Sequence, residues 1–215
     1  MHAVGAPLDI LHAPLDLTQL TIGDAKASAG PYKWARVLYK GKTVTLQTAK
    51  MEIPFDFGRD DTTVKGSVPS DTAYARAFAG TVERVDEHVA AMVSANPAAL
   101  FGKDIPADRV RSMYMPSLDR KSDKHLPTFR MKVRKDKATG AALLDVFDDA
   151  RARVEMPLDE CFKRGASVTA IVELTGVWAI AGKFGCIWAL RQLHVEQPAK
   201  TNGASGYLFD DSLMD

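Results

Sequence analysis

The sequence predicts a mainly β protein, a five-stranded barrel with one inserted α-helix and an acidic C-terminal tail. Three observations carry that reading. Apolar residues alternate with period two over several short runs, as half-buried strands require. A single long stretch, residues 72–95, instead repeats at helical spacing. The order along the chain is strands, that helix, a cationic strand, a short strand and a long aromatic hairpin.

The hairpin, Ala166 to Gln197, organises the rest. Two runs rich in Val, Ile, Thr and Trp flank a Gly-containing segment, the signature of antiparallel strands joined by a tight turn. Val168, Ala170, Val172 and Leu174 share one face, and Thr169, Glu173 and Thr175 the other, with Ile171 out of step. In the return run Trp188 and Leu190 have one parity, Leu193 and Val195 the opposite one, so a β-bulge is expected near Arg191 and Gln192. Lys183 and Phe184 are assigned to the turn, with Trp178 and Trp188 on its flanks. Phe184 is expected to be exposed there and Trp188 buried.

Residues 1–30 are punctuated by Ala, Pro and Gly and read as a partly flexible lead-in. A barrel domain follows over 31–197, and a linker with an acidic tail over 198–215. Tyr32 to Tyr39 and Thr43 to Thr48 read as a hairpin closed by Lys40-Gly41-Lys42. Tyr32, Trp34 and Arg36 share a parity, so aromatic and basic side chains interleave, as on a surface that stacks bases and neutralises phosphates. The alternative is a hairpin with an ordinary aromatic core face. Pro54 ends the next short run. Residues 60–69 read as a polar loop, with Ser70 or Asp71 capping the helix. Phe78, Val82, Val85, Val89, Met92 and Val93 form the helix's apolar stripe, and Asn96-Pro97 stops it. His88 on that helix reads as structural. A further short helical turn is expected within Ala98 to Ile105, and a strand over Ala142 to Phe147.

Residues 109–137 hold ten Lys and Arg against three Asp, a balance of +7 in a chain whose net charge is only +1. Phe129, Met131 and Val133 alternate with Arg130, Lys132 and Arg134. A strand with one cationic face is a phosphate track or a solvated wall, and the sequence weighs these equally. The candidate nucleic-acid-binding residues are Lys33, Trp34, Arg36, Tyr39, Lys42, Arg130, Lys132, Arg134, Lys135, Trp178, Lys183 and Phe184. The candidate tail residues are Phe209, Asp210, Asp211 and Asp215, in a segment without a cation that would suit a basic surface.

The order of elements suits an OB-fold-like barrel. The residues also resemble a family, the single-stranded DNA-binding proteins of T-odd phages and their relatives in nucleocytoplasmic large DNA viruses. The resemblance lies in Tyr39-Lys40-Gly41-Lys42 through Met51-Glu52-Ile53-Pro54-Phe55, in Gly176-Val177-Trp178 through Trp188 to Leu193-His194-Val195, and in the acidic C-terminus. Phe209 is not terminal and the tail is shorter than the phage type. The resemblance implies an OB-fold that coats single-stranded DNA without sequence preference during viral DNA replication, recombination or repair. It also implies a homodimer whose tail occupies the empty DNA groove, replication proteins as partners of that tail, and a viral replication compartment in the host nucleus or a cytoplasmic factory.

Other function classes fit less well. No phosphate-binding loop, dinucleotide fingerprint, C-x-x-C pair or nucleophile elbow is present, so no enzyme, metal site or cofactor is expected. Asp148, Asp149, Asp159 and Glu160 stand without a histidine partner and read as solvated charges. Two cysteines, Cys161 and Cys186, do not make a disulfide scaffold and suit a reducing compartment. No apolar run reaches the roughly 20 residues of a membrane span, and Met1 to Ile22 lack the pattern of a signal peptide. An intracellular protein without a membrane partner is the expectation. The competing binding reading is a structural or virion-associated protein using the same barrel for protein contacts.

Overall fold

In the computed structural model the described residues are 6–27, 31–58, 61–122 and 124–196. Strands β1 (Leu20–Ile22), β2 (Lys26–Ala27), β3 (Lys33–Tyr39), β4 (Val44–Gln47), β5 (Met51–Glu52) and β6 (Thr63–Ser67) come first. Helices α1 (Ala73–Ala95), α2 (Pro97–Phe101) and α3 (Ala107–Ser112) follow. Then come β7 (Leu118–Asp119), β8 (Thr128–Lys132), β9 (Asp145–Phe147), β10 (Arg153–Val154), α4 (Leu158–Cys161), β11 (Ser167–Ile180) and β12 (Lys183–Glu196). The closed ring is β11–β5–β6–β8–β12 and back to β11. It is antiparallel except where β8 meets β12, at Ala189 and Lys132. This is a five-stranded, OB-fold-like barrel.

The long hairpin forms as the sequence requires. Its first register shift leaves Arg191 unpaired between Gln192, opposite Ile171, and Leu190, opposite Val172. That bulge is the one the change of parity demanded. A second shift at Thr175 lies between Leu174 and Gly176. The turn itself is Ala181-Gly182, at φ +48° and +76°. Positive φ at both central residues matches the twist of the flanking strands. Lys183 and Phe184 are therefore not in the turn; they are the first two residues of β12.

Three further expectations change. β3 and β4 do not zip into a hairpin beyond the single Tyr39–Lys42 bridge. Both run antiparallel to β11 along the same edge, β3 against 176–179 and β4 against 171–174. Residues 60–69 are not a loop, since Thr63–Ser67 is a wall of the barrel. Its fourth residue, Gly66, lies close under the neighbouring strand, and a Cβ there would stand 2.8 Å from Met51 Sδ. Residues 6–27, read from sequence as lying ahead of the domain, pack into it. Ile10, Leu15 and Leu20 join the core, and the Leu8 N–H donates to Thr45 O at 2.9 Å. That contact covers part of the β4 edge that β11 leaves unpaired.

Helix α1 is capped by Thr72, not by Ser70 or Asp71; the Thr72 hydroxyl accepts from the Ala75 N–H at 3.0 Å. The buried stripe is Phe78, Val82, Val85, Val89 and Val93, with Met92 half-buried. Phe78 meets Phe129 of β8 edge to face at 5.1 Å, and Phe129 leans on Trp188 of β12 at 5.9 Å. This line of rings plugs the barrel with the helix. Each such buried side chain contributes on the order of 1.5–3 kcal/mol. Among the described residues no helix is long and apolar enough to cross a membrane.

Gly80 lies within α1, and a Cβ added there would meet nothing within 4 Å. Glycine inside a helix costs about 1 kcal/mol relative to alanine. Gly80→Ala is expected to stabilise the fold by about 1 kcal/mol, read as an upward shift of the urea midpoint at unchanged m-value. A destabilised Gly80→Ala variant would show that the surface there is not open.

Candidate nucleic-acid interface

Directly paired residues in a sheet project to the same side. The pairings Lys26–Trp34, Trp34–Trp178 and Trp178–Gly185 therefore make one outward row across β2, β3, β11 and β12. The next row on that face is Arg36, Gly176 and Ile187. The two glycines explain how two indoles fit on one wall. A Cβ on Gly176 would collide with the Ala35 carbonyl and with Trp34 Nε1. A Cβ on Gly185 would stand 2.7 Å from the Met115 carbonyl and 3.2 Å from Trp178 Nε1. Each tryptophan thus rests on bare backbone and stays half-buried, with ring surface left for a ligand.

The cations come from the strand ends and from β8. Lys183 pairs with Ile180, which is 39% exposed, so the hairpin end continues the tryptophan face. On β8, Phe129 and Met131 are fully buried while Arg130 is half-buried and Lys132 exposed. The alternation read from sequence holds, and Arg134 beyond the strand is also exposed. Lys132 Nζ donates to Thr62 Oγ1 at 2.9 Å, and partial desolvation pulls its ammonium below the ordinary lysine range. Tyr32, Thr63, Arg130, Lys132, Trp178 and Ile187 line a groove of about 270 Å³, with Cys186 and Trp188 beneath.

Other candidates lie elsewhere. Phe184, expected to be exposed, is fully buried between Phe101 and Tyr114, at 5.7 and 5.0 Å. The two-residue turn places it opposite Ala179, on the inward face. Trp188 is buried as expected, at 1% exposure, and its indole N–H donates to Ser117 Oγ at 3.1 Å. Lys33 shares the parity of Ala35 and Val37; its ammonium lies beside Gly102, the C-cap of α2, where the helix dipole favours a cation. Tyr39 packs against the core, with Lys40 Nζ 5.3 Å from its ring centre. Lys42 sits beyond the Lys40-Gly41 turn, and Lys135 bridges Ala142. Phe209, Asp210, Asp211 and Asp215 lie outside the described residues.

Tyr32 and Thr63 are groove residues that the candidate set lacked. Tyr32 had its signal, the parity shared with Trp34 and Arg36. Thr63 had none once its strand was taken for a loop.

Behind the groove a buried carboxylate ties β12 to the helix. Asp86 of α1 is 5% exposed. It accepts from Tyr114 Oη at 2.6 Å, from the Ser117 N–H at 2.6 Å and from Ser117 Oγ at 2.7 Å. Tyr114 Oη also lies 3.3 Å from Cys186 Sγ. Burial raises the Asp86 carboxyl above its usual 3.8 and outweighs these hydrogen bonds. Burial likewise pushes the Cys186 thiol well up, so it is not a reactive thiolate.

The chain belongs to a family of unknown function, DUF5871, which it matches over residues 63–211. No curated protein matches it. Among solved structures it is similar to gp2.5, a single-stranded DNA-binding protein encoded by bacteriophage T7. Identity is 16% and the TM-score 0.47, over 77% of this chain and 98% of that one. It is also similar to the single-stranded DNA-binding protein from bacteriophage Enc34, at 14% identity and TM-score 0.45, over 91% and 99%. The complex of that protein with single-stranded DNA gives 15% identity and a TM-score of 0.43, over 85% and 98%.

A carboxyl raised by folding contributes stability that is full below its unfolded value, 3.8, and is lost as pH rises through its folded value. The stability difference between wild type and Asp86→Asn is therefore expected to shift against the wild type as pH rises from 3 upward. Urea unfolding of both proteins at several pH values checks this. A pH-independent difference would mean that the hydrogen bonds to Asp86 offset its burial, and a shift in favour of the wild type that they outweigh it.

Proposed function

We propose that this protein binds single-stranded DNA without sequence preference, as a coating protein and not an enzyme. The observation that carries the reading is the pair of indoles, Trp34 and Trp178, seated on glycine backbone and flanked by Arg36, Lys183, Arg130 and Lys132. Flat rings take any base by its π-face, and cations beside them take the phosphates. In this reading Trp34, Trp178 and Tyr32 stack bases, and Arg36, Arg130, Lys132, Arg134 and Lys183 hold the backbone. The setting is replication, recombination or repair of viral DNA in a replication compartment, with the protein acting as a homodimer.

Oligo-dT is expected to quench the tryptophan fluorescence, with an affinity that falls steeply as salt rises. Trp178→Ala should cost roughly 1–3 kcal/mol, the value of one base-stacking aromatic. Reversing Arg130, Lys132 and Arg134 together should flatten the salt dependence. An unchanged slope and an unchanged affinity in these variants would move DNA off this face.

The acidic segment around Phe209, Asp210, Asp211 and Asp215 serves in the same proposal as a tethered competitor. Its carboxylates stand in for phosphates, and its aromatics for bases, at the high effective concentration that covalent attachment gives. It is also the element offered to replication proteins. Removing residues 207–215 should tighten DNA binding at low salt, with the gain shrinking as salt screens both interactions. Light scattering on the same pair of proteins reports the dimer. Equal affinity and equal mass for the two would leave the tail without this role.

A further inference from the structure

We infer that the single-stranded DNA track does not end on the barrel but continues past Arg130 and Arg120 into a cationic cleft on helix α1. The inference rests on the proposed function and extends its binding site. Three hollows are joined by shared residues. The barrel groove and a second cleft of about 570 Å³, between α1 and residues 111–120, share Arg130. The second cleft and a third, of about 520 Å³, share Glu83 and Arg120. An arginine therefore stands at each threshold.

The third cleft has the chemistry of a nucleic-acid site. Arg76, Arg120, Lys124 and His125 line it, and the one carboxylate among the described residues that line it, Glu83, is held by Arg120 at 2.6 Å. Its floor on the helix is Ala79 and Gly80, and the missing side chain of Gly80 keeps the cleft open. Leu126, 50% exposed at its wall, offers an apolar surface against which a base can lie. The middle cleft is more mixed in charge, but most of its carboxylates are occupied. Asp119 is paired with Lys65 at 3.3 Å, Glu83 with Arg120, and Asp86 is buried in its hydrogen bonds. Glu87 is exposed and lines the same cleft as Arg111. At ordinary salt its repulsion reaches only phosphates that pass within about 10 Å of it. Phosphates crossing this stretch meet Arg130 and Arg111, and then Arg120, whose guanidinium also holds Glu83.

OB-type sites take roughly 4–16 nucleotides, so the two ends of that range separate the groove from its extension. Oligo-dT of about 5 and about 16 nucleotides is titrated at several salt concentrations against four proteins: wild type, Lys124→Glu, the double variant Arg76→Gln with Lys124→Gln, and Gly80→Glu. The last places a carboxylate on the cleft floor at a position with open space and a better helix former, so it tests the cleft without loosening the fold. The short oligonucleotide should bind all four alike. The long one should show a steeper salt dependence on wild type. The double variant should lose about 1.4 of that slope, two phosphates at about 0.7 each, and Gly80→Glu should lose the advantage of length. If the long oligonucleotide gains nothing over the short one, or if the variants keep its gain, the extension is wrong, the clefts are left for a protein partner, and groove binding stands. If neither oligonucleotide binds wild type, the proposed function falls and the extension with it.

Discussion

Every wall of this molecule depends on β11 being paired along both edges. One edge carries β3, β4 and β5 in succession; the other carries β12 for nearly its whole length. A strand of fourteen residues cannot hold that many partners while staying flat, since paired strands twist steadily against each other. The two register shifts, at Thr175 and at Arg191, add local twist where the sheet must curl into a barrel. The shift at Arg191 also brings Arg191 Nε to 2.9 Å from Glu173 Oε2, a largely buried ion pair whose N–H is not aligned for a hydrogen bond. Such a pair is weak support for stability, but losing one partner would strand the other charge.

The tryptophan face is a consequence of the same arrangement. Trp34 reaches the wall only because β3 lies directly on β11, and it fits only because position 176 has no side chain. The Asp86 network works from the other side of that wall. Tyr114 and Ser117 hold the helix carboxylate, while Trp188 and Cys186 on β12 touch the same two residues. A carboxylate buried this deeply is costly unless its lone pairs are filled, and here three donors fill them. The network fixes β12 against α1, and so sets the floor of the groove that Trp178 and Lys132 line.

Much of this was legible in the sequence because it followed from periodicity. The long hairpin, the bulge at Arg191, the helix with its Phe78 stripe and the cationic face of β8 came from spacing alone, and the burial of Trp188 from the need of a barrel for large interior side chains. The misreadings share a cause, since each depended on a partner far away in sequence. Residues 63–67 read as a polar loop because the strands that pair with them, β5 and β8, lie elsewhere in the sequence. The segment from Tyr32 to Thr48 looked like a hairpin because nothing local says that β11 offers an edge to both of its strands. Phe184 was misplaced by the turn. Ala181-Gly182 closes the hairpin with two residues at positive φ, one of them not glycine, and a turn placed two residues later puts Phe184 in solvent instead of against Tyr114. The candidate face was therefore half legible: parity put Trp34, Arg36, Arg130 and Lys132 on an outward face, Trp178 was singled out by its place beside the turn and faces outward only because of the shift at Thr175, and Lys33 and Tyr39 have the parity of the core.

The make-up of the groove bears on what it would discriminate. Sequence is read by side chains that match donor and acceptor patterns on base edges, with Asn, Gln and Arg the usual readers. The lining side chains are two aromatic rings above a buried indole, one isoleucine, one threonine, one buried thiol and two cations, with neither Asn nor Gln among them. Arg130 is the one residue with a fork that could face a guanine, and its place between the groove and the neighbouring cleft suits a phosphate passing from one to the other. The stacking rings are held by backbone: Trp34 lies over Gly176 and Trp178 over Gly185, so neither has an adjustable side chain beneath it that could shape itself to one base. A rigid ring surface with cations beside it favours any base over none and hardly favours one base over another. Non-specific binding, as proposed above, is what such a surface would support. The price is strong dependence on salt, because the phosphates supply most of the attraction.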